Sequence, residues 1–354
     1  MSARSRAITF VITDLHRGGS PLVLADLAPA LAQRGLRVEV VSIAPRGEIA
    51  GILKKQGVRV ISLEARSNRD WKVIPRFAEY LRMRKPGLVC SILVHANLLV
   101  ALSRPLVENK FAWVQSIHTV QEKPQWHWWA QAFVSPYADA TIAPSRAVIS
   151  KMEEFGPVPR PVVIPNGIDV SRFRDAAPMG NLPWPSGSKV VGYIGRFDPV
   201  KRLDRLIGAM PYLPSDVHLA LVGYGGHESE LRGVAQRFHG RVHFVGVTAE
   251  PERWYKVFNV FCSPSASEGF GLTLAEAAVS GLPVVSCATS AVCETLPEVE
   301  GLPWDPSPRQ IAAAVRKALI YSHPIDKAVL TDRYSKDKMV AAYERLFRSF
   351  TELS

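Results

Sequence analysis

The residues best placed to do chemistry lie in one short segment, residues 263–286. Its pattern predicts the end of a buried strand, a glycine-containing turn, a helix and a second strand. Gly269 and Gly271 allow the backbone to approach a bound group closely, and the N–H groups of a helix start favour phosphate. Glu268 and Glu276 flank that helix start and offer polar contacts to a neighbouring hydroxyl. The segment indicates a nucleotide-sugar site, with an ordinary strand-to-helix turn as the alternative.

Two cations follow another predicted strand, in the segment G-R-F-D-P-V-K (195–201). Arg196 and Lys201 would lie at the carboxyl edge of a sheet and at the start of the next helix. Cations at this edge can neutralise a diphosphate, and arginine can do so with two parallel hydrogen bonds. The alternative is that both residues are solvated charges on a surface turn and bind no ligand.

Three further residues follow predicted strands in the first half of the chain. His118 ends the apolar run 112–118, and Gly18 and Gly19 stand between the first strand and the first helix. Ligands of parallel sheets bind at the carboxyl ends of the strands, so His118 is a candidate ligand contact and the glycine amides are candidate anion donors. A structural histidine and a tight turn are the alternatives.

Alternating strands and helices must position these residues. Apolar runs, among them 7–13, 112–118 and 218–223, predict strands in both halves of the chain. The segment 172–189 between the halves has the composition of a linker. We expect an α/β protein of two Rossmann-like domains that face each other across a cleft. The predicted domains are residues 1–172 and 173–334, and apolar residues at helical spacing predict a last helix within residues 335–354.

The composition excludes several classes of protein. Of the 354 residues 47% are hydrophobic and 21% are charged, as in soluble globular proteins. The first apolar run is too short for a signal peptide or a membrane span. Four cysteines without metal-ligand spacing indicate core packing and a reducing compartment. We therefore expect a cytoplasmic protein, at the inner face of the membrane if it contacts lipid.

The positive charge is concentrated in the first half. Residues 1–172 hold 23 Lys and Arg against 13 Asp and Glu, whereas residues 173–334 hold 16 of each. Such an asymmetry predicts an anionic partner for the first half, with a solvated basic surface as the alternative. Nucleic acid is not expected, because the chain shows no nucleic-acid-binding motif and its second half is neutral.

The segment 263–286, together with G-R-F-D-P-V-K-R-L-D (195–204) and V-Q-S-I-H-T (114–119), resembles glycosyltransferase family 4. The resemblance covers almost the whole chain. It implies the GT-B fold, in which the last helix (335–354) crosses back onto the first domain. It also implies a retaining hexosyltransferase that uses a UDP- or GDP-linked sugar. It also implies no cofactor besides that co-substrate, and the sequence has no D-x-D motif, so no catalytic metal is expected.

The resemblance also implies roles for individual residues. Four are expected to take part in catalysis, namely His118, Arg196, Lys201 and Glu268. The residues expected to bind the donor are Gly18, Gly19, Gly223, Val247, Gly269, Phe270, Gly271, Leu272, Thr273 and Glu276. Glu276 would hold the ribose hydroxyls, whereas Glu268 and His118 would contact the donor sugar.

The acceptor is expected to be a lipid-linked molecule, a polysaccharide or another glycan. Asn166, Trp126 and Trp128 are the candidate acceptor contacts, and the basic stretch 66–86 is a candidate membrane contact. The alternatives are a nucleotide-sugar epimerase or a sugar-phosphate synthase on the same fold. A basic nucleic-acid-binding protein is the remaining alternative.

Overall fold

A computed structural model describes residues 7–351, except residues 68–69, 121–123, 239 and 322–324. The chain divides into two compact units, Met1–Gly167 with Lys336–Ser354, and Ile168–Ser335. The amide of Ile168 donates to the carbonyl of Tyr334 at 2.8 Å, and Ile168 also pairs with Ser335. These contacts tie the start of the second unit to its end, so residues 168–172 belong to the second unit.

The first unit is built on a parallel sheet of seven strands in the order β3-β2-β1-β4-β5-β6-β7. Its strands are β1 Ala7–Ile12, β2 Arg37–Ser42, β3 Arg59–Ser62, β4 Leu88–Ile92, β5 Ala112–Ser116, β6 Ala140–Ala143 and β7 Pro161–Val163. Its helices are α1 Gly19–Gln33, α2 Glu48–Lys55, α3 Val73–Arg84, α4 Val94–Ser103, α5 Trp126–Val134 and α6 Arg146–Glu153, with α15 Lys336–Thr351 from the end of the chain. Strands β4, β5 and β6 are buried along their whole length, which explains their continuous apolar runs.

The second unit repeats this layout with six parallel strands in the order β10-β9-β8-β11-β12-β13. Its strands are β8 Lys189–Ile194, β9 Val217–Val222, β10 Val242–Gly246, β11 Val260–Ser263, β12 Val284–Cys287 and β13 Glu300–Leu302. Its helices are α7 Val170–Arg174, α8 Leu203–Gly208, α9 Glu228–Ala235, α10 Pro251–Tyr255, α11 Leu272–Val279, α12 Ser290–Thr295, α13 Pro308–Tyr321 and α14 Lys327–Tyr334.

Alternate residues of β8 enter two different cores of the second unit. Val190 and Ile194 pack in one core with Phe261, and Val191 and Tyr193 pack in the other. The alternation follows from the two-residue period of a strand, and it shows that helices cover both faces of this sheet. Each unit is therefore a Rossmann-like α/β layer structure.

Helix α15 packs on the first unit. Its Phe347 ring lies 5.8 Å from the ring of Phe10 on β1. Two ion pairs hold its polar side, because Lys336 Nζ lies 2.7 Å from Asp26 Oδ1 and Arg34 Nη1 lies 3.0 Å from Glu344 Oε2. The last three residues of the predicted segment 335–354 lie outside the described residues.

Three of the cysteines, Cys90, Cys262 and Cys287, are buried on strands, and Cys293 is exposed. Among the described residues, no helix has both the length and the apolar character needed to cross a bilayer.

Candidate functional site

The strand order of the second unit reverses between β8 and β11, which lie side by side. In parallel sheets such a reversal opens a crevice beyond the carboxyl ends of the two strands, where ligands bind. The chain leaves β8 through residues 195–201 and leaves β11 through residues 264–271. The amide of Ala266 donates to the carbonyl of Val200 at 2.8 Å, so the two segments are joined directly.

An ion pair lies at this junction. Lys201 Nζ is 2.7 Å from Glu268 Oε1, and the two side chains are 20% and 13% exposed. Lys201 ends a short 3-10 turn, and its ammonium carries a positive charge at the carboxyl edge of β8. The sequence predicted both residues as site residues but did not predict that they contact each other.

Arg196 occupies a more exposed position. Its side chain is 62% exposed, and its Nη2 lies 2.9 Å from Asp198 Oδ2. The buried Tyr193 hydroxyl donates to the carbonyl of Arg196 at 3.0 Å and so fixes the backbone of this loop. Burial, followed by the charge of Glu268, holds the pKa of Tyr193 well above its ordinary value, which keeps this hydroxyl a donor. Arg196 therefore has a fixed backbone and an exposed guanidinium that pairs with Asp198.

Helix α11 begins beside Glu268. Gly271 has φ +83°, a left-handed conformation that favours glycine, and the first bond of the helix runs from Ala275 N to Gly271 O at 3.0 Å. The amides of Leu272 and Thr273 precede that bond, so helix geometry gives them no partner within the helix. This helix start is therefore a candidate phosphate site of the kind the sequence predicted.

The side chain of Phe270 is buried beneath the turn. Its side chain is 4% exposed, and its ring packs 5.8 Å from the ring of Tyr334. Its carbonyl accepts a 2.7 Å hydrogen bond from Thr295 Oγ1. Burial of an aromatic ring in the core is more favourable in free energy than its exposure to solvent. Phe270 therefore anchors the turn with its side chain, and its contact with the donor stays a prediction.

Glu276 lies in the second turn of α11 and has a buried partner. The Tyr255 hydroxyl donates to Glu276 Oε2 at 2.8 Å and also approaches the carbonyl of Thr273 at 3.2 Å. Burial, followed by the charge of Glu276, raises the pKa of Tyr255 well above its ordinary value. Tyr255 is therefore a permanent donor that orients the carboxylate.

Close backbone contacts shape the loops after β8 and β9. Gly223 has φ +139°, and a Cβ placed there would lie 1.9 Å from the carbonyl oxygen of Gly195. The amide of Gly223 donates to the carbonyl of Gly246 at 2.8 Å. Sheet hydrogen bonding therefore already uses this amide, and the contact of Gly223 with the donor stays a prediction. Val247, which follows Gly246 in the chain, has an exposed side chain.

The first unit places its candidates at the carboxyl edge of its own sheet. His118 follows β5 by two residues, is partly exposed, and has its Nε2 2.9 Å from Ser116 Oγ. Burial lowers the pKa of His118 to about 4, so its ring is neutral at pH 7. Gly18 caps α1, and the first bond of that helix runs from Leu22 N to Gly18 O at 3.1 Å. The amides of Gly19 and Ser20 precede this bond, so helix geometry gives them no partner within the helix, as in α11.

The candidate acceptor residues do not share one environment. Trp126 is 50% exposed, whereas Trp128 is 3% exposed and stacks on Phe155 with 5.7 Å between ring centres. Trp128 is therefore a core residue of the first unit, and its predicted role as an acceptor contact is wrong. The three tryptophans of α5 are close in sequence, but the helical turn sends this one inward. Asn166 is buried just after β7.

Sequence reasoning missed Tyr193, whose hydroxyl fixes the backbone of Arg196, and Tyr255, whose hydroxyl orients the Glu276 carboxylate. Each lies in an apolar run, and a tyrosine there is indistinguishable from a core aromatic. Only the hydrogen-bond partner of its hydroxyl distinguishes a tyrosine that supports the site from an aromatic residue of the core. Among the described residues, no group of three or more His, Cys, Asp or Glu side chains is arranged to hold a metal ion.

Two family models match the chain, one in each half. "Glycosyltransferase Family 4" matches residues 17–172, and "Glycosyl transferases group 1" matches residues 188–320. The chain belongs to glycosyltransferase family 4. These matches agree with the resemblance seen in the sequence, and the second one includes Arg196, Lys201, Glu268 and Glu276.

The curated relatives of this family 4 chain act on different molecules. Phosphatidyl-myo-inositol mannosyltransferase of Mycobacterium tuberculosis is 33% identical over 199 residues, or 53% of this chain and 50% of the relative. D-inositol 3-phosphate glycosyltransferase of Xylanimonas cellulosilytica is 25% identical over 318 residues, or 78% of this chain and 76% of the relative. The chain spans about half the length of the first curated relatives it matches.

A solved structure extends the similarity of fold to nearly the whole chain. Anabaena Alr3699/HepE, in complex with UDP and glucose, superposes with a TM-score of 0.83 at 20% identity. The match covers 97% of this chain and 99% of that one. This likeness shows that the family 4 chain has the GT-B fold.

Proposed function

We propose that the protein is a retaining glycosyltransferase that moves a hexose from a UDP- or GDP-linked donor to a lipid-linked or other glycan acceptor. One observation carries this proposal. The Lys201–Glu268 pair lies beside the start of α11, at the point where the strand order of the second unit reverses. A cation and helix amides here suit a diphosphate, and the adjacent carboxylates suit sugar hydroxyls.

The proposed reaction breaks the bond between the anomeric carbon and the diphosphate and forms a bond to an acceptor hydroxyl oxygen. Negative charge builds on the departing diphosphate as the first bond breaks. Lys201 and the amides of Leu272 and Thr273 would stabilise that charge, because they are fixed before the reaction begins. Arg196 would join them by exchanging Asp198 for the diphosphate, which its solvated position allows. These groups supply the stabilisation without a metal ion.

The two glutamates would have separate roles. Glu276, held by Tyr255, would accept hydrogen bonds from the ribose hydroxyls and so bind the nucleotide. Glu268 would accept hydrogen bonds from hydroxyls of the transferred sugar while it stays paired with Lys201. His118 belongs to the first unit, and its contact with the donor sugar remains a prediction.

Phosphorylated inositols are the leading candidate acceptors. The names of the two curated relatives include a phosphatidyl-inositol and an inositol 3-phosphate. The excess of basic residues in the first half of the chain suits an acceptor that carries phosphate. A lipid-linked acceptor would also bring the protein to the inner face of the membrane.

Donor turnover with a panel of acceptors tests the proposal. The purified protein is incubated with radiolabelled UDP-glucose, UDP-galactose, UDP-N-acetylglucosamine or GDP-mannose. Each reaction contains inositol 3-phosphate, phosphatidylinositol vesicles or a membrane extract, with and without EDTA. We expect release of nucleoside diphosphate, a labelled α-linked product and no effect of EDTA, with Lys201→Met as the inactive control.

Four outcomes would contradict the proposal. A β-linked product would exclude retention, and loss of activity in EDTA would exclude metal independence. An epimerised sugar still attached to its nucleotide would favour the epimerase alternative. A free disaccharide phosphate formed from a sugar phosphate would favour the synthase alternative.

A further inference from the structure

The sheet of the first unit also reverses its strand order. The reversal lies between β1 and β4, because β2 and β3 continue the sheet on one side and β5 to β7 continue it on the other. β1 and β4 are direct parallel neighbours. A crevice beyond the carboxyl ends of two such strands is where parallel sheets bind ligands. The segments 13–18 and 93–97, which follow these strands, therefore border a candidate site within the first unit.

The chain leaves β4 through a strained residue. Leu93 has φ +74° and ψ 160°, a conformation that almost only glycine adopts. Its amide donates to the carbonyl of Ser116 at 3.0 Å, and its carbonyl accepts the first bond of α4, from the amide of Asn97 at 3.0 Å. Hydrogen bonds on both sides of Leu93 therefore maintain the strained conformation. The turn places His95, the second residue of α4, at the carboxyl edge of the sheet.

His95 belongs to a cluster that three parts of the first unit build. Its ring centre lies 5.7 Å from that of His127 and 5.9 Å from that of Trp126, and both contacts are edge to face. His127 and Trp126 begin α5, and their own ring centres are 4.0 Å apart. Asp14, which follows β1, is close enough for its charge to act on the pKa of His95. We call these four residues the imidazole cluster.

Both imidazoles of the cluster are neutral at pH 7. Burial lowers the pKa of His95 below its ordinary value, and the charge of Asp14 offsets only part of this effect. Burial, followed by the proximity of His95, lowers the pKa of His127. Within the described part of the chain, neither ring forms a hydrogen bond. A neutral imidazole has one donor and one acceptor nitrogen, so both rings can still bind a ligand that offers both kinds of group.

Asp14 and Trp126 complete the cluster with a charge and an apolar face. Asp14 Oδ1 accepts a 3.0 Å hydrogen bond from the amide of His16, which orients the carboxylate. The Asp14 side chain is partly exposed, and none of the described lysines or arginines forms a salt bridge with it. Trp126 is half-exposed beside the two imidazoles. The cluster therefore combines hydrogen-bonding groups, one negative charge and an aromatic surface.

We propose that the imidazole cluster binds the hydroxylated ring of the acceptor, a sugar or an inositol, and that any phosphate of the acceptor lies outside it. Hydroxyl groups both donate and accept hydrogen bonds, which suits a carboxylate beside two neutral imidazoles. The indole of Trp126 can pack against the C–H groups of the ring. A phosphate fits less well, because the negative charge of Asp14 repels it. The inference rests on the proposed function and specifies which part of the acceptor the first unit binds.

Histidine NMR tests the cluster on the full chain. Labelling histidine with ¹³C at Cε1 gives one signal for each ring, and His95→Phe and His127→Phe assign two of these signals. The probes, titrated separately, are myo-inositol, methyl α-D-mannoside, inorganic phosphate and UDP-glucose. We expect at least one of the two polyols to shift the signals of His95 and His127. Inorganic phosphate and UDP-glucose should leave both signals in place.

Steady-state kinetics with inositol 3-phosphate separate a ligand contact from aromatic packing. His95→Phe keeps a ring against Trp126 but removes both ring nitrogens, so we expect the KM for the acceptor to rise about three- to tenfold. The KM for the donor and the slow hydrolysis of donor without acceptor should stay unchanged. Trp126→Leu should also raise the acceptor KM. Its matched control is Trp129→Leu on the same helix, a 61% exposed tryptophan outside the cluster, which should leave the acceptor KM unchanged. Circular dichroism confirms that each variant is folded.

Three results would overturn the inference. The first is that neither polyol moves the signals of His95 and His127, or that inorganic phosphate moves them as much as the polyols do. The second is a folded His95→Phe variant with the acceptor KM of wild type, which would leave packing as the only role of the ring. The third is a shift of both signals by UDP-glucose alone, which would assign the cluster to the donor. Polyol shifts without transfer from any donor would support the ring site and contradict the proposed reaction, so the two failures are distinguishable.

Discussion

Lys201 Nζ lies 2.7 Å from Glu268 Oε1, although 67 residues separate the two in the chain. The contact exists because β8 and β11 are neighbours in the sheet while three helices and two other strands lie between them in sequence. Each partner limits the cost of burying the other, and together they place opposite charges at one sheet edge.

The Lys201–Glu268 pair should affect stability and turnover differently. Lys201→Met leaves a largely buried carboxylate without its cation, so we expect a loss of about 1–3 kcal/mol in the free energy of unfolding. We also expect transfer to slow by about 10²–10³-fold, because a charge that stabilises the leaving group is gone. Urea denaturation and single-turnover kinetics measure the two effects.

The double variant Lys201→Met with Glu268→Gln serves as the control for this pair. It should recover most of the stability, since no unpaired charge remains, but none of the activity. If stability and activity returned together, the slow turnover of Lys201→Met would reflect unfolding, not a lost leaving-group contact.

Tyr255 should act on donor binding through Glu276. Tyr255→Phe removes the 2.8 Å hydrogen bond that orients the carboxylate, so we expect the KM for the donor to rise about three- to tenfold with kcat little changed. Glu276→Ala should raise KM further, whereas Glu268→Ala should mainly lower kcat. Steady-state kinetics with varied donor separates these cases. Tyr212→Phe, at a tyrosine in contact with Arg309, is the control and should leave KM unchanged. Identical kinetic defects in the two glutamate variants would contradict the division of roles.

His118 should make the protein less stable in acid. Its pKa in the folded chain is about 4, below the ordinary value of 6.5, so the unfolded chain binds the proton more readily. Stability is therefore unaffected above about pH 7 and falls as the pH drops from 6.5 towards 4. In the His118→Asn variant, the free energy of unfolding should decrease by about 1–2 kcal/mol less over this pH range. This figure is reduced because the ring is partly exposed to solvent. Urea midpoints measured from pH 4 to 8 check this.

Gly223 should tolerate no side chain. Gly223→Ala places a Cβ against the Gly195 carbonyl oxygen at a φ of +139°, so we expect a loss of about 2–4 kcal/mol in stability. Gly226→Ala is the matched control on the same loop, since nothing lies within 4 Å of a Cβ there. Thermal unfolding compares the two variants. Equal melting temperatures would show that the loop can move aside.

The sequence predicted the strands well because parallel strands buried on both faces keep continuous apolar runs. The predicted runs 7–13, 112–118 and 218–223 correspond to strands Ala7–Ile12, Ala112–Ser116 and Val217–Val222. Side-chain direction was harder to predict. Trp128 and Phe270 were predicted as ligand contacts, and both are core residues, because direction depends on which neighbours cover a turn or a helix face.

The amino-acid sequence by itself determined the α/β alternation, the two halves and the residues at the strand ends. These properties are recorded in local spacing, in apolar runs and in glycines that follow them. Only the tertiary structure decided which of those residues meet. Strand order brought Lys201 to Glu268, and packing placed the Tyr255 hydroxyl against Glu276. Each of these depends on contacts between residues far apart in the chain, which no local pattern encodes.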